Sequence, residues 1–443
     1  MFAAQENVGL RDELLERIEE ARARTDELFA ILRPDAIYER PIPERHRFIF
    51  YLGHLEAFDW NLVRSRLLRL ESFNPEFDQL FAFGIDPIGS GLPSDQPSDW
   101  PALDQVNEYR DAIRHALDAH LPESLAFDGP PKEFPASLLL NVAIEHRLMH
   151  AETLAYLLHQ LPLDRKIQVR SAPQISTKSV VSGMINIPAG SATLGISRRE
   201  QTFGWDNEYK SHAAQVPAFA IDRYKVTNGE YLEFVAAGGY QKRELWSEPD
   251  WQWKTQQRIS HPGFWKRADE GWRLRAMFDE IPLPLDWPVY VSHAEASAYA
   301  RWAGKLLPTE TQWHRAAYGA PDGTEGDYPW GNQPPGESLG NFNFSRWDPT
   351  PVNAFPDGAS AFGVTDLPGN GWEWTSTPFA PFPGFEAFPF YRGYSADFFD
   401  GNHYVLKGGS ARTAACMLRR SFRNWFQPHY QHAYAGFRCA RRL

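Results

Sequence analysis

The stretch EHRLMHAETL, residues 145–154, sets His146 and His150 four apart. On a helix, positions i and i+4 share a face about one turn apart, close enough for two imidazoles to reach one ion. Leu148, Met149 and Leu154 give the pair partly apolar surroundings. A metal needs at least a third ligand, and His54 in FYLGHLEAFDW lies in another apolar helical stretch. Ligands in helix bundles converge from facing helices, so His54, His146 and His150 read as a metal site. The bland alternative is three histidines satisfied by backbone or water. It suits a lone buried histidine better than an HxxxH pair joined by a third. The zinc-peptidase pattern HExxH is not met, because Arg147 follows His146 and no glutamate stands there as general base. Three neutral imidazoles with open positions suit Zn(II) and Fe(II) almost equally. Glu56 and Glu152 each lie two residues after a histidine. Glu152 is expected to orient a ligand by accepting its ring N–H. For Glu56 that role, a place in a two-histidine-one-carboxylate site and a solvated helix surface all stay open.

Four helical stretches must position these groups. RDELLERIEEARARTDELFAIL (11–32), RHRFIFYLGHLEAFDWNLVRSRLLRLE (45–71), DQVNEYRDAIRHALDAHL (104–121) and PASLLLNVAIEHRLMHAETLAYLLHQL (135–161) carry apolar residues at helical spacing with few breakers. Pro135 stands where a first helical turn tolerates it. Four such helices predict a bundle. The Pro-, Gly- and Asp-rich connection from Phe73 to about Trp100 is too long for a plain turn and is expected to cover something. The texture changes near LDRKIQVRSAPQISTKSVVSG. Beyond it short apolar stretches alternate with Gly, Pro, Asn and Asp, and only TNGEYLEFVAAGG and SHAEASAYARWAGK stand out as helices, each stopped by glycine. The expected organisation is a helical domain over 1–168, a linker over 169–182 and a loop-rich domain over 183–443, together an α+β protein. At 443 residues the chain is long enough for two or three domains. With 14% aromatic residues, its loop-rich half is expected to draw rigidity from aromatic packing rather than from regular ladders. A net charge of −11 argues against nucleic acid as the main partner. No apolar run is long enough to cross a bilayer, and the charged N-terminus lacks a signal-peptide core, so the expected compartment is the cytoplasm. Only Cys416 and Cys439 are present, which excludes a disulfide framework and a four-cysteine zinc site.

The second half also carries FAIDRYKVTNGEYLEFVAAGGY, WPVYVSHAEASAYARWAGKLLPTETQWHRAA, DLPGNGWEWTSTPF, YVLKGGSARTA and RNWF…AGFRCARR, in order over about 260 residues. Together they closely resemble the formylglycine-generating-enzyme fold, a C-type-lectin-like variant also called the sulfatase-modifying-factor fold. Members that make formylglycine use two closely spaced cysteines. Cys416 and Cys439 are too far apart to match them, so that chemistry is not expected. The first half resembles a DinB-like four-helix bundle. The pair of domains, with His54 on one helix and HRLMHAE on another, resembles the sulfoxide synthases of ergothioneine biosynthesis over nearly the whole chain, and GWDNEYKSHAAQVPAFAIDRYKVTNGEY is also like these enzymes.

That resemblance implies Fe(II) held by His54, His146 and His150, with O2 used to join a cysteine thiol to the imidazole of trimethylhistidine (hercynine). It implies a bundle that carries the iron and a loop-rich domain that caps it. The trimethylammonium group is expected against an aromatic face, with Trp425 the first candidate and Asn424 beside it for the amino-acid end of the substrate; core packing is the bland reading of Trp425. Relatives that use γ-glutamylcysteine follow RNW with an aspartate and soon an arginine. Here Phe426 and Tyr430 stand near those places, which suits free cysteine. Met149 replaces a glutamine that touches the substrate imidazole in many relatives, so other thiol or selenium donors and other acceptors stay open. A tyrosine serves as proton donor in such enzymes, steering the chemistry to C–S bond formation rather than thiol dioxygenation. Tyr391 and, second to it, Tyr394 are the candidates, against ordinary packed tyrosines. Arg419, Arg420 and Arg423 are open between holding a substrate carboxylate and structural pairing. Two other readings stand beside the synthase. A metal-dependent DinB-type thiol transferase would work with Zn(II) and without O2, and a binding module would keep its ligand affinity after His150→Ala.

Overall fold

The first unit is built from helices whose sequence texture fixes their place. α1 (Phe2–Ile31), α2 (Phe48–Val63), α3 (Pro75–Phe83), α4 (Leu103–Ala126) and α5 (Ala136–Gln160) follow in order. α2 reads FIFYLGHLEAFDWNLV, apolar nearly all round, and such a helix belongs inside. It lies against α3, α4 and α5, while α1 packs on α5 and α4. This computed structural model describes residues 2–84, 92–126, 133–169, 175, 179–198 and 202–443. The chain divides into two compact units, Met1–Val169 and Arg170–Leu443. Most of the expected linker over 169–182, and residues 85–91 of the long connection after Phe73, lie outside the described residues.

Two local features depart from the expected helices. The second helix stops short of residue 71: Arg64–Leu68 widen into a π-turn, and Arg69 takes a left-handed conformation (φ 57°) that closes it. The connection after Phe73 contains a helix of its own. The Asn74 side chain accepts a hydrogen bond from the Phe77 N–H, Pro75 opens the first turn, and Gly84 (φ 72°) ends it.

The second unit holds β1 (Met184–Ile187), β2 (Gly190–Leu194), β3 (His212–Val216), β4 (Phe219–Asp222), β5 (Trp265–Ala268), β6 (Gly271–Arg275), β7 (Glu280–Pro282), β8 (Trp372–Pro378), β9 (Tyr404–Lys407), β10 (Asn424–Phe426), β11 (Ala435–Gly436) and β12 (Ala440–Arg442). They form four small sheets, ordered β1-β4-β12, β2-β3, β5-β6-β7 and β10-β9-β8-β11. Among them run α6 (Asn228–Ala236), α7 (Glu248–Gln256), α8 (His293–Trp302) and α9 (Glu310–Tyr318). Thr227/Glu230, Ser292/Glu295 and Thr309/Gln312 make capping boxes that start α6, α8 and α9. A core around Trp313 joins β1, β2, β4 and α9. Beside it, Arg438 grips Glu373 at 2.6 and 2.9 Å, and Lys225 lies 3.4 Å from both Glu373 and Asp366. The fold is α+β, a helical bundle followed by a loop-rich domain.

Candidate metal centre

α2 and α5 bring His54, His146 and His150 together, with one ring nitrogen from each lying within 4.8 Å of the others. His54 and His146 are buried and His150 is half-buried. The Nδ1 of His54 lies 2.7 Å from the carbonyl oxygen of Phe81 on α3. A carbonyl only accepts, so Nδ1 carries the proton and Nε2 presents its lone pair. That Nε2 lies 3.3 Å from the Nε2 of His150. Two nitrogens bound to one ion at about 2.0–2.1 Å, at right-angle to tetrahedral geometry, stand about 2.9–3.4 Å apart. The donor set thus fits a divalent metal held by three imidazoles, and the His54–His150 separation already lies in that range. His150 Nδ1 is buried with no hydrogen-bond partner among the described residues. The His146 ring lies flat on Phe58, centroids 3.4 Å apart and planes within 10°. Burial pushes His54 down to about 4, against the opposing pull of the Phe81 carbonyl. It pushes His146 and His150 well below the usual histidine range, with the neighbouring imidazoles adding to the effect.

Behind the histidines lies a buried ionic network. Arg147 on α5 donates to Glu56 (2.9 and 3.1 Å), to Asp59 (2.7 and 3.2 Å) and to the Leu55 carbonyl (3.0 Å), all on α2. Arg114 on α4 joins the same Glu56 at 2.7 Å and Asp26 on α1 at 2.7 and 2.8 Å. Burial pushes Glu56 up, but the two guanidinium groups outweigh it and hold its carboxyl at about 2. For Asp59 burial prevails over Arg147 and the carboxyl is raised. Glu56 is thus neither a metal ligand nor a solvated surface group. Glu152 is buried, outside the three-histidine cluster. Met149 is half-buried on the same helix, one position before His150.

In the second unit, β10 sends its side chains to alternate faces. Trp425 joins an aromatic cluster, stacked on Phe379 (4.1 Å, 8°) with Tyr394 edge-on at 5.4 Å and Phe398 at 5.6 Å. Phe426, on the other face, stacks on Tyr430 at 4.9 Å. The side-chain oxygen of Asn424 accepts from the Trp425 N–H. Tyr394 also stacks on Trp205 (3.9 Å), and Tyr391 lies 5.6 Å from Tyr394. Burial, helped by the nearby Asp206 charge, pushes the Tyr391 phenol up to about 12. The arginine cluster is structurally paired: Arg419 with Glu208, Arg420 with Glu325 and Arg423 with Glu310.

Residues 17–154 match the DinB superfamily, and residues 170–443 match the Sulfatase-modifying factor enzyme 1-like domain. The chain is 33% identical over 440 residues to the hercynine oxygenase of Mycolicibacterium thermoresistibile, covering 97% of this chain and 95% of that one. The chain belongs to the hercynine oxygenase family. The protein of that name from Mycolicibacterium smegmatis is 34% identical over 97% of this chain and 99% of its own. The one from Mycobacterium tuberculosis is 37% identical over 69% and 71%. Against this family frame, sequence reasoning missed three groups around the histidines: the Phe81 carbonyl, the Phe58 ring and the Arg147 network. Two signals for them were present. Gly53 beside His54 marks a close approach, since a Cβ there would overlap the Phe81 ring. Arg147 is the one Lys or Arg of α5, set among apolar residues and buried with them.

Proposed function

We propose that this member of the hercynine oxygenase family is an Fe(II)- and O2-dependent sulfoxide synthase of ergothioneine biosynthesis, acting in the cytoplasm on free cysteine and trimethylhistidine. The observation that carries the metal part is the three imidazole donors within 4.8 Å of one another inside the bundle. End-to-end similarity to hercynine oxygenases supports the oxygenase chemistry. The reaction balances as thiol plus imidazole C–H plus O2. A C–S bond forms, one oxygen stays on sulfur, and the other leaves as water with the two hydrogens. Bound to the three histidines, iron supplies a redox-active centre with open positions for O2 and substrate.

The chain's own residues then have defined tasks. The Phe81 carbonyl fixes the tautomer and orientation of His54. Tyr391, protonated until about pH 12, is the proposed proton donor, with Tyr394 second to it. Trp425, half-buried with one face on Phe379, is the proposed partner of the trimethylammonium group through its other face. Asn424 spends its carbonyl oxygen on the Trp425 N–H, which leaves its amide N–H2 to meet the amino-acid end of the substrate. Phe426 and Tyr430 form an uncharged stacked pair, suited to a small thiol without a γ-glutamyl arm. Met149 presents a thioether to the imidazole acceptor.

The test is anaerobic reconstitution with Fe(II), followed by cysteine, trimethylhistidine and O2, reading oxygen uptake and product mass together. The expected product has the mass of both substrates joined, less two hydrogens and plus one oxygen. Uptake that only oxidises cysteine would overturn the acceptor and point at Met149. Activity with Zn(II) in the absence of O2 would replace the synthase with a thiol transferase.

A further inference from the structure

Arg147 is adjacent to a metal-binding histidine, yet its guanidinium turns to the neighbouring helix. Through five hydrogen bonds it reaches Leu55, Glu56 and Asp59 on α2, the helix that carries His54. Arg147 and Glu56 are each about 1% exposed, so these bonds are made out of water. Their worth as stability is small, because taking charges out of water offsets most of the attraction. Their worth as geometry is larger. α2 is apolar nearly all round, so hydrophobic burial by itself does not single out one register against α5. A slip of one residue moves a side chain about 1.5 Å along the axis and about 100° around it. A metal site tolerates about 0.2 Å. Apolar contacts do not discriminate at that level, whereas a planar guanidinium fork on two carboxylates does. His54 stands two and five residues before the carboxylates that Arg147 grips, and Arg147 follows His146 directly.

We propose that Arg147, Glu56 and Asp59 form a positioning device that sets α2 against α5 in the register that brings His54 to His150 and His146. The proposal rests on the reading of the three histidines as metal ligands, and its test separates the two. The triple variant Arg147→Met/Glu56→Leu/Asp59→Leu removes all three charges together and fills the space with apolar side chains. Its thermal midpoint is expected to match or exceed that of the parent chain. Its Co(II) affinity, from the visible ligand-field bands, is expected to fall about 10- to 100-fold. The metal-free protein gives an independent reading: with histidine-selective labelling, the His54 and His150 rings, centroids 4.9 Å apart, give a ring-to-ring Overhauser effect that the triple variant loses. A folded triple variant that keeps this contact and the parent's Co(II) spectrum and affinity overturns the proposal, since a merely structural role moves the midpoint alone. Should the parent bind no Co(II), the metal reading fails, and the Overhauser contact in the variant still decides the register. If the triple variant does not fold, Arg147→Lys takes its place. It keeps the charge and loses the fork, and the same two signals are expected to weaken.

Discussion

At the scale of single residues, environment divides the candidate groups by task. Tyr391 and Tyr394 are three apart in FPFYRGYSADFF, and sequence pattern ranks them only weakly. Their surroundings differ: Tyr394 packs its ring on Trp205 and Trp425, while Tyr391 lies 5.6 Å from Tyr394 with its phenol pushed up to about 12 by burial. With Tyr391 as the proposed proton donor, Tyr391→Phe is expected to lower sulfoxide formation about 100-fold, with O2 uptake diverted to cysteine oxidation, while Tyr394→Phe leaves the product ratio near the parent's. Mass analysis of both products checks this, and an unchanged ratio in Tyr391→Phe would remove it as proton donor. A second residue tests electrostatics away from the histidines. Burial pushes Asp366 from 3.8 up to about 6, against the pull of Lys225. Because the folded value lies above the unfolded one, its contribution to stability is complete below about pH 4 and is lost as pH rises through 6. The loss is on the order of 3 kcal/mol. Asp366→Asn, which resembles the protonated acid, is expected to flatten that slope in urea titrations between pH 4 and 8. What was legible here follows from covalent spacing. A four-residue interval on a helix is geometry and survives folding, so the histidine cluster was readable. The direction in which Arg147 points depends on a partner helix whose Glu56 lies 91 positions from it in sequence, and no local pattern encodes it.

At the scale of elements, the site depends on a helix that the sequence hides. The Asn-Pro start of α3 is a recognisable capping signal, but it sits in a connection dominated by Pro, Gly and Asp, and nine residues give little periodicity to read. α7 and α9 also escape the sequence pattern: each spans only nine residues, and α7 buries none of them, so no apolar face marks it. The second helix was drawn too long because apolar spacing continues through Arg64–Leu68, where the backbone has already widened. α3 matters because its Phe81 carries the carbonyl that holds His54, and Phe81 packs where Gly53 has no side chain. Gly53→Ala forces the ring and its backbone to move. It is expected to cost roughly 1–3 kcal/mol by overpacking, and to weaken Co(II) binding about tenfold or more through the lost orientation of His54. Isothermal titration of the folded variant measures the second effect separately. Loss of stability with unchanged Co(II) affinity would show that the Phe81 carbonyl is dispensable.

At the scale of the whole molecule, the two units differ enough in composition to be followed separately in one sample. Trp60 and Trp100 lie in the first unit and the other fourteen of the sixteen tryptophans in the second, while the long helices α1, α2, α4 and α5 all belong to the first. Tryptophan emission thus reports the second unit, and ellipticity at 222 nm is weighted to the first. This division was itself readable, because helical periodicity and aromatic loop-rich texture are properties of long windows that averaging strengthens. A metal bound by His54, His146 and His150 stabilises the unit that holds it by mass action, about 2.7 kcal/mol when free metal is a hundredfold above its dissociation constant. For a unit of this size that amounts to about 5–10 °C in midpoint. Chelation of the reconstituted protein is therefore expected to lower the 222 nm midpoint by that amount and the tryptophan midpoint by less, and His150→Ala is expected to start at the lower value and not respond to chelator. Equal shifts in both signals would mean that the units unfold as one cooperative body. No shift in either would mean that the three histidines hold no metal, and the oxygenase reading would then lack the centre on which its chemistry depends.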